Sequence, residues 1–142
     1  MVSTVDMFTF DITTHVRYDM VKPCGPIEVT LRRLDDRQLG PAVSWLLAGI
    51  PRMQRKLPRE FAGPLGLDLT GPAGTRVTIS SDGAAITVTP RAGSTAEPRA
   101  VITSSTDDFL AWSTTRLPWQ QLVSVEGDRD EAARFLNALN LI

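Results

Sequence analysis

Arg76-Val-Thr-Ile-Ser80-Ser-Asp82-Gly83-Ala84-Ala-Ile86-Thr-Val88-Thr89 decides the fold. Val77 and Ile79 alternate with polar residues, and so do Ile86 and Val88, the period of a strand with one buried face. Asp82-Gly83 separates the two runs and tolerates positive φ, so the spacing predicts a hairpin of Arg76–Ser80 with Ala84–Thr89. Upstream, Leu65-Gly-Leu-Asp-Leu-Thr70 alternates in the same way, and Gly71-Pro72-Ala73-Gly74 reverses the chain before the hairpin. Downstream, Ala100–Thr103 is a fourth short strand. Pro90–Pro98 is a polar loop before it. Leu122–Val125 is expected at a sheet edge.

Helices flank these strands. Leu39, Val43, Leu46, Leu47, Ile50 and Met53 form one apolar stripe at helical spacing. Pro41 is expected in the first turn, where a missing N–H costs nothing, and Pro51 is expected to bend or end the helix. Ser105, Thr106 and Asp108 announce a helix whose buried side holds Phe109, Leu110 and Trp112. Leu117-Pro118-Trp119 opens another short turn. Asp128 with Glu131 three residues on has the spacing of a capping box, ahead of the stripe Ala132, Phe135, Leu136 and Leu139. The expected class is α+β: a mainly antiparallel sheet with helices packed on one face.

The chain start reads differently. Val5–Met20 is expected to be helical, with Val5, Phe8, Ile12, His15 and Asp19 along one line that is apolar at one end and polar at the other. Lys22-Pro23-Cys24-Gly25-Pro26 breaks that helix. Two units are therefore expected: a helix over 1–22 and an α+β domain over 27–142.

Composition narrows the function. The 142 residues are 42% hydrophobic and 22% charged, with net charge −1. Read along the chain, Lys and Arg give no footprint for nucleic acid or an anionic membrane. The longest nearly apolar stretch, Ala42–Ile50, is too short to span a bilayer. The first residues lack a basic n-region and carry Asp6, which argues against a secretory signal. A single Cys24 excludes an internal disulfide and fits a cytoplasmic location. Cys24 has no base nearby in sequence to activate it.

Two segments carry a family resemblance. Asp11-Ile-Thr-Thr-His15-Val-Arg-Tyr18-Asp19-Met20 is similar to the last bundle helix of DinB-like, mycothiol-dependent enzymes. Asp107-Asp108-Phe109-Leu110-Ala111-Trp112, Arg116, Val125-Glu126-Gly127-Asp128 and the final Ala/Leu-rich helix follow in the order of that family's sterol-carrier-like C-terminal domain. Trp45-Leu46-Leu47-Ala48-Gly49-Ile50-Pro51 fits its connecting helix. The chain thus resembles the mycothiol-dependent maleylpyruvate isomerase-like family over most of its length. Members normally begin with further helices, one of which supplies a first metal-binding His, and their acidic ligand is usually Glu. The resemblance therefore implies a truncated or split member, with mycothiol and a divalent metal such as zinc as cofactors.

Asp11 and His15 stand four apart, one turn along the same helical face, so a carboxylate and an imidazole can meet there on a metal. Catalytic zinc needs about three protein ligands, so a homodimer or a separate helical-bundle subunit would complete the set. The plain alternative is an intrahelical hydrogen bond. At Arg116 the resemblance places a functionally important arginine, whose guanidinium can hold a dicarboxylate through paired hydrogen bonds. A surface cation near a helix C-terminus is its plain alternative. Arg17 and Asp19 fit a solvated face. Trp45, Trp112 and Trp119 fit a core or a cleft wall.

Three functions follow from different classes. One is isomerase or thiol-transferase chemistry, completed by a partner. Another is a non-catalytic, sterol-carrier-like module for a hydrophobic small molecule. The third is an interaction subunit whose first helix completes a bundle elsewhere.

Overall fold

The computed structural model describes Met7, Phe10 and residues 34–141. Met7 and Phe10 are both helical, and Phe10, which is not on the expected stripe, is 4% exposed with its ring centroid 6.4 Å from that of Trp45. The rest of the expected 1–22 helix, the break around Cys24 and the boundary at 27 lie outside the described residues.

Helix α1 spans Asp36–Met53. Its start is set by a capping box: Asp35 accepts from the N–H groups of Arg37 and Gln38, while Gln38 Oε1 accepts from the Asp35 N–H at 3.3 Å. That cap lies a full turn ahead of the apolar stripe, so Pro41 falls beyond the first turn rather than within it. Pro51 does not end the helix, which continues to Met53. Proline in the last turn removes one intrahelical bond near an end that is fraying already. Of the expected stripe, Leu39, Val43, Leu46 and Ile50 are buried, joined by Ala42 and Gly49, whereas Leu47 is half-buried and Met53, past the last packed turn, is exposed.

Five strands form one sheet: β1 Leu65–Thr70, β2 Thr75–Ser81, β3 Ile86–Pro90, β4 Ala100–Ser105 and β5 Val123–Gly127. Their order is β3-β2-β1-β4-β5. Neighbours run antiparallel except β1 and β4, which are parallel. Register aligns the alternating residues across the sheet. Val88, Ile79, Leu65 and Ala100 make one row, and Val77, Leu67, Ile102 and Val125 the next. These rows line the core face, over which the helices pack, and Leu65, Leu67, Ile79 and Ile102 are fully buried. β5 stands at an edge, as expected.

At the β2–β3 reversal, Gly83 takes φ +86. Asp82 does not take a positive φ; its carboxylate accepts from the N–H groups of Ala84 and Ala85, which holds the tip as an Asx turn and pulls its pKa below the ordinary value. The β1–β2 reversal is pinned from two sides. Asp36 accepts from the Ala73 N–H, and Thr106 Oγ1 donates to the Pro72 carbonyl at 2.6 Å.

Helix α2, Thr106–Ser113, is capped by Ser105, whose Oγ accepts from the Asp108 N–H at 3.0 Å. Phe109 and Leu110 are fully buried, and the indole of Trp112 donates to Ser104 Oγ. Helix α3, Arg129–Ala138, is capped by Asp128 as expected. Ala132, Phe135 and Leu136 are its buried face, and Phe135 meets Phe61 edge-on at 5.2 Å. The result is an α+β domain with helices on one face of a mainly antiparallel sheet.

Candidate functional site

The C-terminal end of α1, the segment that follows it and the second half of α3 line one concave surface. Leu57 and Pro58, in a single 3-10 turn over Leu57–Arg59, are buried and anchor that segment to the core. Anchoring Leu57 leaves its neighbours Arg55, Lys56 and Arg59 exposed. Gln54 ties the α1 end to the chain terminus by donating to the Asn140 carbonyl and accepting from the Asn140 N–H at 3.3 Å.

Between these walls lies an open groove of about 740 Å³. Met53, Leu57 and Ala138 supply its apolar part, and Arg52, Arg55, Lys56 and Arg134 supply cations against one carboxylate, Glu60. Met53 is 47% exposed, a large apolar side chain left in water at the mouth. Asn137 completes the α3 wall and is held by the Trp119 indole, which donates to Asn137 Oδ1 at 2.9 Å. A second depression, bounded by Arg59, Ser81 and Asp82, adjoins the first through Glu60 and Arg134.

Under the groove, Glu131 is 1% exposed. Its carboxylate accepts from the N–H groups of Ala62 and Gly63 and pairs with Arg134. Burial alone would push this carboxyl up. The hydrogen bond from Arg134 and then those from Gly63 and Ala62 outweigh it, and the pKa falls below its ordinary 4.5. The Arg134 guanidinium is pushed further up, first by the hydrogen bond to Glu131. The capping box expected at α3 is therefore half formed. Asp128 accepts from the Glu131 N–H at 3.0 Å, but the Glu131 side chain turns away to the Ala62–Gly63 backbone and Arg134. The Asp128 N–H that a full box would use already donates to the Arg99 carbonyl at 2.9 Å, while two peptide N–H groups and a guanidinium claim the carboxylate.

The residues singled out from sequence lie elsewhere. Asp11 and His15, together with Arg17, Asp19 and Cys24, fall outside the described residues. Arg116 is half-buried in the turn after α2, where its N–H donates to the Ala111 carbonyl at 2.9 Å, and it does not line the groove. Among the described residues, no three His, Cys, Asp or Glu side chains converge to seat a metal ion. No helix among them is long and apolar enough to cross a membrane. Sequence reading missed the groove cations. Their only linear trace is the run Arg52-Met-Gln-Arg55-Lys56-Leu-Pro-Arg59, with four cations in eight positions. Arg134 joins them only in the folded chain.

No protein-family model matches the chain, and no curated protein matches it. Solved structures do. The crystal structure of Sterol Carrier Protein 2 Like 2 from Aedes aegypti aligns with a TM-score of 0.51 at 21% identity, covering 68% of this chain and 92% of that one. The solution structure of the sterol carrier protein domain 2 of Helicoverpa armigera aligns with a TM-score of 0.47 at 18% identity, covering 57% and 68%. The mycothiol-dependent isomerase family finds no support in these comparisons, whereas the sterol-carrier-like part of the expectation does. The five-stranded sheet with helices on one face is a sterol-carrier-protein-2-like fold.

Proposed function

We propose that this domain is a non-catalytic carrier module that holds a hydrophobic or amphipathic small molecule in the groove between α1 and α3. One observation carries the reading: a groove of about 740 Å³ in which Met53 is exposed and Ala138 half-buried, over a floor that includes the buried Leu57. That volume is within the range of small-molecule sites, roughly 300–1,000 Å³. Apolar surface left in water at a concave site gains by being covered. The likeness in fold to sterol carrier proteins supports the same reading.

Titration with a fluorescent fatty-acid analogue and a fluorescent sterol tests it. Saturable binding of one probe per chain is expected, and Ala138→Trp, which fills the groove from half-buried Ala138, is expected to weaken it at least about tenfold. Failure of both probes to saturate, or full binding by Ala138→Trp, overturns the assignment.

The isomerase reading keeps one argument, the order of Asp107–Trp112, Arg116 and Val125–Asp128 along a sterol-carrier-like domain. It requires a metal at Asp11 and His15, finished by a second copy or a helical-bundle subunit, and a thiol such as mycothiol. Metal analysis of the purified protein decides it: a stoichiometric divalent ion lost in His15→Ala supports that site, and a metal-free protein rejects it.

A further inference from the structure

Net charge is −1, yet the fold gathers five cations around one end of the domain: Arg52, Arg55, Lys56 and Arg59 from the segment that ends α1, and Arg134 from α3. The first four are exposed, and none makes a salt bridge among the described residues. Three lysine or arginine side chains near the end of one helix already exceed what its dipole calls for. Over the same two depressions the exposed carboxylates are Glu60 and Asp82, against these five cations. Met53 stands among these charges, and the groove opens on the same side. Cations flanking an exposed apolar side chain suit a surface that is anionic outside and hydrocarbon beneath. An acidic protein would reward the charges but not the lone methionine. Nucleic acid would reward stacking aromatic side chains, and the groove has none.

We propose that this face docks on an anionic bilayer, with Arg52, Arg55, Lys56 and Arg59 against lipid headgroups and Met53 at the acyl boundary. This departs from the expectation of no membrane contact drawn from the linear sequence, because the cations become one face only when folded. The docking itself stands on charge and exposure. Its purpose, exchange of cargo between bilayer and groove, rests on the carrier reading.

The test is co-sedimentation of the full chain with vesicles of phosphatidylcholine containing about one third phosphatidylserine, and with phosphatidylcholine alone. Binding to the anionic vesicles is expected, falling steeply between about 0.1 M and about 0.5 M salt as charges are screened. The quadruple variant R52E/R55E/K56E/R59E is expected to bind at least roughly 30-fold more weakly. Arg37→Glu, at the far end of α1 and about 22 Å away at 1.5 Å per residue, is expected to bind as the parent does. Met53→Ser, which keeps every charge, is expected to weaken binding by a smaller factor. Circular dichroism of each variant verifies that it is folded.

Equal binding to neutral and anionic vesicles, or full binding by the quadruple variant, overturns the proposal. So does capture of soluble polyglutamate with no vesicle binding, which would assign the face to an acidic protein. Should the quadruple variant fail to fold, the salt dependence, the neutral vesicles and Met53→Ser still decide. Probe binding in solution is read separately: probe bound without vesicle binding keeps the carrier and removes the docking face, and the reverse keeps the face and removes the carrier.

Discussion

Glu131 and Gly63 lie 68 residues apart and are joined by a hydrogen bond of 2.8 Å from the Gly63 N–H to the buried carboxylate. This bond, with its companions from Ala62 and Arg134, attaches α3 to the segment that enters β1. The groove walls are therefore held by a charge that the sequence assigns to a cap.

Replacing Glu131 by Gln removes the charge while keeping the shape. A hydrogen bond to a charged group contributes roughly 1.5–3 kcal/mol, so E131Q is expected to lose about 2 kcal/mol at neutral pH. Because the folded pKa is depressed, this stabilisation is fully present above the ordinary 4.5 and is lost as pH falls through the lower folded value. Urea unfolding across that range should show the parent and E131Q converging in acid. A constant gap between them would contradict the assignment.

Thr115 sits at φ +57, directly after α2. The Arg116 N–H donates to the Ala111 carbonyl and the Thr115 N–H to the Trp112 carbonyl, which is the Schellman arrangement that glycine favours. A β-branched residue is strained there. Thr115→Gly is expected to raise stability by about 0.5–1 kcal/mol, read as a higher thermal midpoint.

Gly127 has the opposite sensitivity. It takes φ +92, and an added Cβ would stand 2.4 Å from the Arg99 carbonyl oxygen, a backbone atom that also accepts from the Asp128 N–H. Gly127→Ala must distort the end of β5 or the cap of α3, and should lose about 2 kcal/mol or more in chemical denaturation. A loss below about 0.5 kcal/mol would mean that the β4–β5 edge yields freely.

Thr78 is 1% exposed, and its hydroxyl has no hydrogen-bond partner among the described residues. A buried hydroxyl without a partner costs roughly 1–3 kcal/mol, and valine has nearly the same shape with good strand propensity. Thr78→Val is expected to stabilise the domain by about 1 kcal/mol. Destabilisation in the same assay would show that the hydroxyl is satisfied in solution.

Local chemistry was legible in the sequence because its causes are local. Alternation in Leu65–Thr70 and in Val77–Ile79 reports which side chains face the core, and the structure buries Leu65, Leu67, Leu69, Val77 and Ile79, although it buries Gly66 and Thr78 between them as well. Asp128 ahead of α3 and Ser105 ahead of α2 cap as residues of those types should, since a cap needs only its next three neighbours. Tertiary structure alone decided three other features. The parallel pairing of β1 with β4 joins strands separated by an entire hairpin, and no local period encodes that partner choice. Glu131 abandoned its cap because the Asp128 N–H is taken by the Arg99 carbonyl and two N–H groups from a distant segment claim the carboxylate. The cationic face exists because Leu57 is pulled into the core, which turns Arg52, Arg55, Lys56 and Arg59 outward and brings Arg134 to them across the fold. Spacing within a segment follows from backbone geometry, but which segments meet is settled by burial of the whole chain at once.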